Sequence, residues 1–424
     1  MLRILLIIVF FPLIGYGQTP NSVLSAELDT FIQNQMASNN IPGLSACIVK
    51  ENQVIWKAAY GTANFNSGLP VTTETEFTLA SISKLFTATA CVQLWENELL
   101  DLEADINTYL PVTIVNPHFP NSTITVRHLL EHRSSLRDYE SDLDLLQIIG
   151  DPTINLTDFC NMYFLPGGTY YDANNFNSSS APGIAQYWYS NAGFTLLGYI
   201  IQEVSGMTFE EYCQVYILDP LQMNTAGWYY EDIDADGIAM PYNNMMNPIG
   251  YYSVAQVPAA MLKANVEELA NFLLAYTQQG IFQNNTLFSQ ATFEEIVPSN
   301  MQNGLGWWGM DTWYGDSNGD FWSHGGYMHG IRTQLNYYPS DSTGLIILTN
   351  GEGSYSAIQN EIESYIPLFN TDEAPTSTDI VIEENKKIKD IFNMNGQLTQ
   401  ENKHSLLFYL YEDGSVEKKI QLLR

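Results

Sequence analysis

Ser81-Ile82-Ser83-Lys84 places a hydroxyl and an amine three residues apart at the head of a stretch, 78–94, with almost no other charge. On a helix, positions i and i+3 share a face, so the amine can reach the hydroxyl and take its proton. Burying an unpaired ammonium is costly, and burial lowers its pKa instead. Lys84 is therefore a candidate base and Ser81 a candidate nucleophile. The spacing alone does not decide, because a surface lysine beside an ordinary serine fits it too. Ser415-Val416-Glu417-Lys418 repeats the spacing among alternating charges. That segment is patterned as a strand, where i and i+3 face opposite sides and cannot cooperate.

A serine that is to be acylated needs a second proton carrier, an amide to hold substrate and backbone donors for an oxyanion. Trp188-Tyr189-Ser190-Asn191 supplies a phenol and an amide just ahead of the apolar run 194–200. Ser323-His324-Gly325-Gly326-Tyr327 supplies a histidine and two glycines, which let backbone approach a ligand closely. A rival reading comes from His128-Leu129-Leu130-Glu131-His132, which matches the inverted zinc-peptidase pattern of two histidines one helical turn apart. The motif is short, and by itself it does not decide for a metal site. Glu267 and Glu268 read as acids at a helix start.

These groups need elements to position them. Leu44–Val49 and Val54–Tyr60 flank a polar turn, and Thr333–Tyr338 and Leu345–Thr349 flank Pro339 to Gly344, so hairpins are expected near both ends of the chain. The segment from Ile82 to Leu94 is apolar around most of its circumference, as expected of a central buried helix with Ser81 at its start. Residues 100–320 mix helical periodicity with long polar loops, Asp172 to Ser180 and Trp228 to Tyr242, which are expected to shape a cleft. The fold class is α+β: an antiparallel sheet formed from both chain ends, flanked by helices, with a mostly helical insertion and a small β tail. Residues 371–379 read as a polar linker, and 380–424 as a tail with strands over 387–392, 406–411 and 415–422.

The 424 residues suffice for one large domain, 18–370, and an appendage. Residues 1–17 pair Arg3 with an apolar run and small residues, the pattern of a secretory signal peptide, and no later stretch reaches the length of a membrane span. An exported protein, in the periplasm, at the cell surface or secreted, is expected, and not an integral membrane protein. With 47 acidic and 16 basic residues the net charge is −31, which argues against nucleic acid as a partner. Cys47 and Cys91 sit in apolar runs as core thiols, while a Cys160–Cys213 bridge stays open.

In their order, the Ser81/Lys84, Tyr189/Asn191 and His324/Gly326 elements resemble those of serine β-lactamases and penicillin-binding-protein-like hydrolases, in the class C and D,D-carboxypeptidase branch. Residues 124–136, 220–223, 258–260 with 266–270, and 304–307 resemble the family too, and the similarity covers roughly 25–368. The resemblance implies a serine hydrolase working through an acyl-enzyme on a small-molecule or peptide substrate, cell-wall derived in the first instance, with no metal or organic cofactor. It implies Ser81 as nucleophile, Lys84 and Tyr189 as base and acid, and the backbone N–H groups of Ser81 and Tyr327 as oxyanion donors. Asn191 would hold substrate and steady Lys84, and His324 would tune Tyr189 or meet a substrate carboxylate. A D-alanyl-D-alanine carboxypeptidase-like peptidase is the reading. β-Lactamase or esterase activity is the alternative within the family, and a non-catalytic peptidoglycan- or penicillin-binding protein the alternative outside it. Glu131, Arg133 and Ser135 depart from the family's small residues and glycine, 167–188 is longer than usual, and His324 replaces the lysine of typical β-lactamases. The tail, through Lys389 to Gly396 and Gly414 to Lys419, resembles Bacteroidetes-type sorting domains, which implies a secretion-machinery partner.

Overall fold

The computed structural model describes residues 21–138, 148–184, 187–234, 237–299, 304–309 and 321–373, together with four strands between 376 and 420. The signal-peptide segment lies outside the described residues. Leu24, Leu28, Ile32 and Met36 recur every four residues and form the buried stripe of α1 (Asn21–Asn39). That stripe lies on a sheet that is covered on both faces. In β1 (Gly43–Lys50), Leu44, Ala46 and Ile48 share the α1 core, whereas Cys47 and Val49 enter the larger core on the other side, as the two-residue period of a strand requires. Each such large aliphatic side chain contributes roughly 1.5–3 kcal/mol by leaving water. β2 (Gln53–Asn64) returns beside β1 through Glu51 and Asn52, both at positive φ (+49° and +62°), the two-residue turn whose twist suits a hairpin.

The chain then supplies α2 (Ser83–Glu96), α3 (Val126–Leu130), α4 (Asn191–Ser205), α5 (Val257–Ala260) and α6 (Val266–Thr277) before returning to the sheet. β3 (Trp308–Gly309), β4 (Trp322–Met328), β5 (Ile331–Tyr338) and β6 (Thr343–Thr349) follow, then α7 (Ser356–Tyr365) and β7 (Thr376–Ile380). The sheet order is β3-β4-β5-β6-β1-β2-β7, antiparallel except where β7 runs parallel to β2. β1 pairs with β6, so the two chain ends do meet in one sheet.

α2 is buried from Ser83 through Leu94, and its polar side chains are bonded: Ser83 Oγ accepts from Leu262 N–H (3.0 Å) and Thr87 Oγ1 donates to Pro258 O (2.6 Å). Phe86 stacks on Phe272 of α6 at 4.2 Å between centroids.

One difference from the sequence reading stands out. Thr376–Ile380, expected within the linker and the first residue of the tail, is instead the edge strand β7. Its polar composition reads as a linker, yet an edge strand needs only backbone partners, and Thr376, Thr378 and Ile380 are β-branched. All four cysteines are buried and free, so the Cys160–Cys213 bridge that the sequence leaves open is not formed. Residues from Val381 onward make a separate unit, in which β8 (Ile388–Asn393), β9 (Leu406–Tyr411) and β10 (Val416–Ile420) pair antiparallel in that order. Ser415 lies outside the described residues. Among those that are described, no helix is long and apolar enough to cross a membrane.

Candidate functional site

Ser81 lies in a single 3-10 turn, Ala80–Ile82, that leads directly into α2. Ala80 has φ +50°, a left-handed value that costs a residue with a side chain about 1–3 kcal/mol. The turn is held from the sheet side. Thr333 Oγ1 on β5 donates to Leu79 O at 2.7 Å, and Gly326 on β4 lies so close that a Cβ there would come within 2.4 Å of the same carbonyl. Glycine at 326 thus lets β4 press against the Ser81 turn, and Tyr327 and Ser81 line one cavity of about 350 Å³.

Lys84 is fully buried, and burial pushes its pKa down to about 7, with the Asp138 charge pulling the other way. Its Nζ donates to Asn191 Oδ1 at 2.7 Å and to Ala259 O at 2.8 Å, and stands 3.3 Å from Ser81 Oγ. A neutral amine has two N–H donors, and those two short bonds use them, which leaves the lone pair for the serine hydroxyl. Tyr189 OH donates to Ser81 Oγ at 2.8 Å, and burial pushes its phenol pKa well up, so it remains protonated. Ser190 caps α4 by accepting from Gly193 N–H at 2.9 Å, which sets Tyr189 and Asn191 on either side of the helix start.

Asp138 and the Ala259 carbonyl belong to this arrangement and were missed in the sequence reading. Asp138 accepts from Asn191 N–H (2.6 Å), Ala192 N–H (2.8 Å) and Ser190 Oγ (3.2 Å), so one carboxylate anchors the element that carries both Tyr189 and Asn191. In a chain this acidic, no pattern singles it out.

His324 lies within β4, the strand that precedes the β5–β6 hairpin, fully buried and stacked on Trp308 at 4.6 Å between centroids. Burial, then the charge of Lys84, push its pKa down to about 3, so the ring is neutral at any ordinary pH. A neutral imidazole offers a substrate carboxylate an N–H donor and no ion pair.

The zinc reading fails on geometry. α3 ends at Leu130, and His132 has φ +56°, so the motif does not run as one helix. His128 Nδ1 accepts from Thr125 N–H in a capping box, and His132 Nδ1 accepts from Ser190 N–H at 3.1 Å with its ring 4.5 Å from that of Tyr189. Among the described residues no group of three His, Cys, Asp or Glu is placed to hold a metal ion.

Arg133 and Ser135, two of the residues expected to depart from the family pattern, bond to the segment expected to be lengthened. Arg133 Nη2 donates to Gly183 O (2.7 Å), and Ser135, left-handed at φ +65°, donates from Oγ to Ser180 O (2.6 Å). Backbone bonds from Gly183 N–H to Arg133 O and from Asn177 N–H to Ser135 O complete the seam. Segment 177–183 is thus laced to Arg133 and Ser135. Among the described residues, neither 167–184 nor the loop 228–242 lines the cavity, contrary to the expectation that the long loops shape the cleft.

The family model described as beta-lactamase matches residues 28–363, and the chain belongs to that family of serine hydrolases. Protein flp of Staphylococcus aureus (strain MW2) is 23% identical over 337 residues, 78% of this chain and 64% of the relative, so the chain spans less than two thirds of that protein's length. Among solved structures, the octameric penicillin-binding protein homologue from Pyrococcus abyssi is similar with a TM-score of 0.68 at 23% identity, over 92% of this chain and 86% of that one. EstCE1, a hydrolase with promiscuous acyltransferase activity, is similar with a TM-score of 0.64 at 19% identity, over 81% of this chain and 98% of that one. At these identities the structural likenesses bear on the fold.

Proposed function

We propose that this chain is an exported serine hydrolase that cleaves an ester or amide through an acyl-enzyme on Ser81. The carrying observation is the placement of a buried amine, its two N–H donors spent on Asn191 and Ala259, against a hydroxyl that opens into a cavity. Ser81 Oγ attacks the carbonyl carbon and passes its proton to Lys84 Nζ. The backbone N–H groups of Ser81 and Tyr327 receive the oxyanion, and Tyr189 protonates the leaving group. Water then takes the place of the leaving group, and the same groups return the serine. Peptidase, β-lactamase and esterase activities all use this sequence of steps, so the site chemistry is common to them and the cavity wall discriminates.

Export rests on the leader pattern of 1–17, and a sorting role for the tail rests on its separate three-stranded unit. A chain ended after Ile380 keeps β7 and should retain hydrolysis while losing surface retention.

A fluorophosphonate probe should label Ser81 and no other serine, with labelling abolished in Lys84→Ala, as read by peptide mapping. An adduct elsewhere, or full labelling of Lys84→Ala, would sink the mechanism.

A further inference from the structure

Among the described residues, no lysine or arginine lines the Ser81 cavity. Lys84 is saturated by Asn191, Ala259 and Ser81, and His324 is neutral beneath Trp308. Gly325, which lines the cavity, has no side chain to offer. His329 also lines it but is paired with Glu352 at 2.6 Å. Arg332, on the strand paired with β4, donates Nη1 to the carbonyls of Met328 and Ile331, and its guanidinium carbon lies 3.2 Å from the Tyr327 ring centroid. Arg137 lies 5.0 Å from the ring centroid of Trp188. Residues 139–147 and 297–320 contain no lysine, arginine or histidine. Beyond Ser81, Tyr189 and Asn191, what remains of the wall is uncharged: Tyr252, Val254, Ala260, Trp308, Tyr327 and Met328, with the amide of Gln256 as its one further polar side chain.

Resting on the reading of Ser81 as an acylated nucleophile, we infer that this cavity selects uncharged acyl donors, esters or amides without a free carboxylate on the leaving group, with apolar groups seated against Trp308, Tyr252 and Tyr327. A carboxylate entering here gives up hydration for a neutral amide donor on Gln256 and no cation. The chain's charge of −31 also lowers the local concentration of anions. A peptidase that releases a free C-terminal amino acid would need a partner for its carboxylate. An esterase or amidase acting on neutral donors does not.

The test uses a matched pair on the full chain: an N-acyl-D-alanyl ester of lactate, with its free carboxylate, and the methyl ester of the same compound. Acylation is read from turnover and from protection of Ser81 against a fluorophosphonate. The neutral donor should have a second-order acylation constant about 10–100-fold higher, the scale of an unpaired charged group. The gap should narrow as salt rises from ~50 to ~500 mM, since screening weakens the field. Equal or reversed constants, or acylation by neither donor while the probe still labels Ser81, overturn the selectivity. Absence of probe labelling overturns the acyl-enzyme reading and this inference with it.

Discussion

Lys84 and Lys263 are both buried lysines, each pushed down to about 7 by burial and each pulled back by nearby aspartate charge. Their surroundings separate them. Lys84 stands beside a hydroxyl that opens into a cavity, whereas Lys263 donates to Trp228 O (2.6 Å) and Met261 O (3.1 Å) with the Tyr230 ring centroid 4.3 Å away. Lys263 does not line the site cavity. A shifted amine is therefore only a precondition for chemistry, and the acid–base partner within reach decides whether it is used.

The largest contrast should appear on substitution. Lys84→Ala should lower kcat/KM toward the upper end of about 10²–10⁴-fold, the scale of a positioned base. Lys263→Met should leave kcat/KM within a few-fold while, near pH 10 where the burial penalty of the amine is largely gone, costing roughly 1–3 kcal/mol for the two carbonyls left without a donor. Steady-state kinetics and denaturant midpoints on both proteins check the pair, and a Lys263→Met enzyme as impaired as Lys84→Ala would erase the distinction drawn here.

Tyr189→Phe should cost less, toward the lower end of that range, and more for substrates with poor leaving groups than for activated esters. A uniform loss across leaving groups would remove Tyr189 from the proton path. The pH profile sharpens the contrast further. If Lys84 must be neutral to accept the serine proton, kcat/KM should rise through a midpoint near 7. Since the Asp138 charge raises the pKa of Lys84, Asp138→Asn should move that midpoint to lower pH. An unmoved midpoint means another group titrates.

The smallest effect is one that both lysines share. Each has a folded pKa of about 7 against an ordinary 10.5, so between these values the unfolded chain binds protons that the fold does not. Stability should then rise with pH across that window, the penalty being fully present below 7. Substituting either lysine with methionine should flatten the rise, on the order of 1 kcal/mol or more each. Urea midpoints at pH 7 and pH 8.5, below the range in which the four buried thiols oppose the rise, measure it, and variants whose midpoints rise as much as the wild type's would contradict the burial of both amines.

Much of this was legible in the sequence. The two hairpins were visible because β1 and β6 bury both faces and read as unbroken apolar runs, and α2 because it is apolar all round. Ser81, Lys84, Tyr189 and Asn191 carried spacing signals, and the structure gathers them around one hydroxyl. Asp138 and Ala259 O were invisible for different reasons. An isolated aspartate has no pattern, and a backbone carbonyl belongs to every residue. The environment of His324 was equally hidden, since its protonation depends on Trp308 and Lys84, which only the fold brings near. β7 was misread because polarity reports on exposure, not on whether the backbone is paired.

The four free thiols offer built-in reporters of opening. Cys47 lies in β1, Cys91 in α2, Cys160 in the helix Leu156–Phe164 and Cys213 in the helix Phe209–Cys213, so they sample four separate elements. Burial raises every one of their pKa values, so the folded chain presents almost no thiolate to an alkylating reagent. Alkylation therefore waits on unfolding motions. Four equal rates would mark a domain that opens as a single cooperative body, and four different rates would rank its elements by local stability.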